Sequence, residues 1–77
     1  MTKREWAHKI AEKLDALHND LHSEKITPVQ HSVALRELYS DMQRESGYAD
    51  GAFAQVWQAG CKEHNLRTFG ITPKTQF

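Results

Sequence analysis

Apolar residues recur along the first third of the chain in one helical stripe. Trp6, Ile10, Leu14, Leu17 and Leu21 are separated by steps of 4, 4, 3 and 4. At 100° per residue they fall within about 80° of one another, so the pattern predicts a helix over 3–22. Thr2 followed by Glu5 forms a capping box, in which each side chain satisfies a backbone N–H at the helix start. The stripe is narrow, nearer to a coiled-coil seam than to a wide buried face.

A second periodic segment follows. Thr27-Pro28-Val29-Gln30 supplies a cap, a proline at the first helical position and a second capping box. Leu35, Leu38, Tyr39 and Met42 share one face with His31, while Val29 and Val33 widen it. Ser46-Gly47 supplies the stop, because glycine adopts the left-handed conformation at no steric cost. This predicts a helix over 28–45. A third helix is predicted over 51–64, with Asp50 as its cap and Asn65 as its end. Phe53, Val56, Trp57 and Gly60 form its inner face. Gly60 costs about 1 kcal/mol inside a helix, and close approach of a neighbouring helix explains its use there. Residues 66–77 read as an extended tail, because Pro73 and the threonines disfavour helix. Leu66, Phe69, Ile71 and Phe77 make that tail apolar, to be buried either on the bundle or in a partner's groove.

The expected fold is therefore all-α: a small three-helix bundle over 1–65 with an extended C-terminal tail over 66–77. Short connections make successive helices roughly antiparallel. At 77 residues the chain makes one domain with a thin core. The first helix is longer than the third, and a homodimer through the first helix would cover its free end.

Charge narrows the function classes. Ten Lys and Arg balance ten Asp and Glu, which disfavours nucleic acid as the partner, since phosphate neutralisation needs a basic surface. The balance is uneven along the chain. Residues 1–13 carry Lys3, Arg4, Lys9 and Lys13 against Glu5 and Glu12. Residues 14–50 carry three cations against seven carboxylates, and residues 51–77 three against one. The acidic middle reads as solvated helix faces, or as a patch for a basic partner. A single cysteine excludes an intramolecular disulfide. No apolar run suits a signal peptide or a membrane span, and the basic residues of the first helix interleave with acids, so a cytoplasmic location without membrane binding is expected.

Five histidines form the densest candidate chemistry. His18 and His22 are spaced i, i+4, and Cys61 and His64 i, i+3, each pair on one helix face as a tetrahedral zinc site requires. The plainer reading places His18 and His22 at the solvent edge and buries His64 among hydrogen bonds. His31 is likewise either a packed histidine or a proton sensor. Cys61 beside His64 has the form of an activated thiol, without a third member or a glycine-rich turn. No P-loop, dinucleotide fingerprint, EF-hand or zincin motif is present, so no enzyme activity and no cofactor are expected. A helix-turn-helix reading remains as the alternative, in which Gln55, Gln58 and Lys62 on the third helix face DNA. A zinc-stapled module through His18, His22, Cys61 and His64 is the second alternative.

The leading expectation is a non-enzymatic helical module that binds another protein and inhibits or regulates it, as small phage and mobile-element proteins do. Aromatic residues dominate such contacts. Trp6, Tyr39, Tyr48, Phe69 and Phe77 are the expected contact residues.

Overall fold

The computed structural model describes residues 2–70. Within them three helices follow one another, α1 (Lys3–His22), α2 (Pro28–Ser46) and α3 (Asp50–Phe69), with no strand. This is a small all-α three-helix bundle.

Both capping boxes form. Thr2 Oγ1 accepts from the Glu5 amide, and Glu5 accepts in return from the Thr2 amide at 2.7 Å. Thr27 and Gln30 repeat the arrangement at α2, with Pro28 as its first residue. Gly47 ends α2 in the left-handed region at φ 73°. The turn after α1 uses Glu24 at φ 62°, a conformation costing a side-chain-bearing residue about 1 kcal/mol.

The third helix departs from expectation at both ends. Asp50 is not the cap. Ala49 occupies that position without a side-chain hydrogen bond, and Asp50, in the first turn, accepts from the Gln43 amide group on α2. Nor does α3 stop at 64. It runs on to Phe69, and Gly70 supplies the left-handed stop at φ 68°, its N–H returning to the Leu66 carbonyl. The extra turn is held by contacts that local propensity does not report. Arg67 reaches Glu63 one turn back at 3.5 Å and Asp15 of α1 at 3.0 Å. Leu66 and Phe69 therefore belong to a helix, not to an extended tail. The rest of the expected tail, Ile71 to Phe77, lies outside the described residues.

The core lies mainly between α1 and α3. Ala7, Ile10, Ala11 and Leu14 of α1 meet Phe53, Val56 and Gly60 of α3, whereas α2 contributes only Met42 to the fully buried set. At Gly60 the two helices nearly touch. A methyl group there would lie 2.7 Å from Ile10 Cγ2 and 2.9 Å from the Ala7 carbonyl oxygen. The cross-helix pairs advance together, with Gly60 on Ile10, His64 on Asp15 and Phe69 near His18. Thus α1 and α3 run parallel, and α2, tied by Lys9 to Glu45, returns antiparallel alongside them. It packs lightly on α1 and only barely on α3.

Candidate functional site

That loose seating of α2 leaves a cleft. Its three walls are the second half of α1, the first half of α2 and the second half of α3, and it encloses about 730 Å³. Such a volume falls in the range of sites that hold a small molecule or a side-chain cluster, about 300–1,000 Å³. Leu14, Leu21 and Leu35 line it with Tyr39, Trp57 and Phe69.

Helical spacing assembles the aromatic wall. Phe53 and Trp57 stand one turn apart on α3. Tyr39 of α2 meets both edge-on, its ring centroid 4.9 Å from Phe53 and 5.0 Å from Trp57. Such pairs favour edge-to-face geometry because the positive ring edge meets the negative face. Phe53 is fully buried, and Tyr39 and Trp57 are half-buried with a side open to the cleft. Phe69 remains 55% exposed at its edge.

The polar rim gathers histidines from all three helices. His18, His31 and His64 line the cleft. The His18 ring lies 4.1 Å from that of His22 and 5.8 Å from that of His64, centroid to centroid. His64 Nδ1 is 2.6 Å from Asp15 Oδ1, whose other oxygen takes Arg67 at 3.0 Å. The carboxylate fixes the proton on Nδ1 and leaves Nε2 of His64 unprotonated in the neutral ring. His18 is held below the usual histidine range, first by desolvation and then by His22, His64 and His31 around it.

His18, His22 and His64 do come together, and Cys61 lines the same cleft. As they stand, no group of three His, Cys, Asp or Glu side chains among the described residues converges to hold a metal ion. Burial pushes the Cys61 thiol up, opposite to the shift that activates a nucleophile, and His64 is committed to Asp15. Of the expected contact aromatics, Tyr39 and Phe69 line the cleft. Trp6 and Tyr48 are half-buried against the core away from it, with Lys9 Nζ 5.2 Å above the Trp6 ring. Phe77 lies outside the described residues. Gln55, Gln58 and Lys62 are exposed on α3, and Gln55 shares a smaller depression with Lys3, Arg4 and Glu63.

Three of the seven acids in the middle of the chain are engaged in internal ion pairs. Asp15 holds His64 and Arg67, Asp41 holds Arg44, and Glu45 holds Lys9. Sequence reading missed Arg36, which lines the cleft. Its only signal was its position one residue after Leu35 on the apolar face of α2. Among the described residues no helix is long and apolar enough to cross a membrane. Comparison with protein-family models, with curated proteins and with solved structures gives no match.

Proposed function

We propose that the chain is a protein-docking module that receives an apolar segment of its partner in the cleft between α2 and the α1–α3 pair, and that docking regulates the partner. The observation that carries this reading is the aromatic wall of Tyr39, Trp57 and Phe69 beside an open volume of about 730 Å³. Large rings bury much area with only two side-chain torsions to immobilise, which is why such walls concentrate binding energy. Leu21 and Leu35 extend the apolar floor across two helices. The walls are helices, so a docking segment meets a rigid surface on two sides and a lightly held helix on the third.

Site-specific photo-crosslinking in cells tests the reading. A photoreactive amino acid at Ser32, exposed on the cleft wall, should give a discrete adduct with one protein. The same residue at Gln58, exposed outside the cleft, should not. Equal labelling from both positions, or none from Ser32, overturns it.

A further inference from the structure

Among the described residues, the one permanently charged side chain that lines the cleft is Arg36; no Asp or Glu does, and the polar rest includes His18, His31 and His64. In a chain with as many acids as bases, on a helix whose neighbouring charges include Glu37 and Asp41, that exclusion is a property of the site. Glu37 and Asp41 share a separate depression with Arg36 but do not line the cleft. Asp15 is held by His64 and Arg67, and Asp41 is held by Arg44. Arg36 itself enters no ion pair among the described residues, although every other arginine of α2 and α3 does.

We infer that the docking segment is acidic at its edge: an apolar or aromatic anchor packs on Tyr39, Trp57 and Phe69, and an adjacent Asp or Glu pairs with Arg36. This rests on the docking reading above and specifies its partner. The guanidinium presents a planar fork of N–H donors that matches a carboxylate with two parallel hydrogen bonds. A cation beside an apolar wall also disfavours a basic segment, because like charges brought together there are desolvated without compensation.

The test uses three synthetic amphipathic peptides that differ at one position. Each carries Leu and Phe anchors at helical spacing and a flanking Glu, Gln or Lys. Binding is read from the fluorescence of Trp57 in the full chain carrying Trp6→Phe, so that the cleft indole is the only reporter. The Glu peptide should bind about tenfold tighter than the Gln peptide, with the advantage shrinking as salt rises. Arg36→Gln should erase the difference between them. Arg36→Glu should transfer the preference to the Lys peptide, and this reversal guards against simple loss of fold. Equal affinity of the Glu and Gln peptides for the parent chain overturns the inference and leaves docking intact. No change in Trp57 fluorescence with any peptide overturns docking as well.

Discussion

His18 shows how a single side chain records its surroundings. It faces His22 on its own helix, His64 and Phe69 on α3, and it feels His31 from α2, with Asp15 as the one opposing charge. Desolvation and three potential cations lower its affinity for a proton in the folded chain. The unfolded chain therefore binds that proton more readily. The resulting stability is present above the unfolded histidine value of about 6.5 and is lost as the pH falls through the folded value. Carboxylates titrate mostly below pH 5, so the interval between about pH 7 and 5.5 isolates the histidines. Urea midpoints should fall across that interval, and His18→Gln should flatten the slope. A midpoint slope that His18→Gln leaves unchanged would show that His18 does not oppose protonation. The zinc expectation and this behaviour share one origin. Helical spacing brings the rings into a cluster, yet it does not aim their nitrogens at a common point.

At the level of elements, Gly60 governs how α1 and α3 cross. Its missing side chain lets Ile10 and the Ala7 carbonyl approach to within what would be 2.7 and 2.9 Å of a methyl group. Gly60→Ala would gain about 1 kcal/mol of helix propensity. It must also push the helices apart, and overpacking of this kind costs about 1–3 kcal/mol or more. The clash is with backbone as well as a branched side chain, so the second effect wins. Denaturant titration should show a net loss of about 1–2 kcal/mol, whereas a gain would mean that the crossing is not tight. The sequence exposed this crossing because a glycine amid Phe53, Val56 and Trp57 has few other reasons to be there. It also showed both capping boxes and the Gly47 stop, which are local codes. Ala7 and Ala11 escaped notice, since small residues weigh little in a search for large apolar ones, though they let α3 come close. The last turn of α3 escaped for a different reason. Arg67 is anchored by Asp15, 52 positions earlier, and no local pattern reports a partner at that distance. The cleft was hidden likewise. Tyr39, Trp57 and Phe69 were visible singly as aromatics, but the opening between them depends on α2 being poorly covered by α3.

Across the whole molecule, burial is distributed unequally, and this sets a hierarchy of stability. The α1–α3 pair owns nearly all the fully buried side chains, the Gly60 crossing and the ion pairs of Asp15. By contrast, α2 owns one fully buried side chain, Met42, the half-buried Leu35, Leu38 and Tyr39, two terminal capping interactions and an exposed apolar edge that includes Val29 and Val33. Fully burying a side chain of Leu or Phe size contributes about 1.5–3 kcal/mol, so a helix with one fully buried and three half-buried apolar residues can detach before the α1–α3 pair unfolds. Native-state hydrogen exchange measures this directly. Amides of α2 should exchange through an opening that costs less free energy, and depends less on denaturant, than the opening of α1 and α3. The first half of α2, which forms the cleft wall, should be the least protected of its amides, because Met42 and the Lys9–Glu45 pair secure only the other half. An acidic amphipathic peptide that fills the cleft should raise protection there first, by tying α2 to the α1–α3 pair through the Tyr39–Trp57 wall. Uniform exchange across all three helices would instead describe one cooperative unit, and would leave the proposed docking cleft without a lightly held wall.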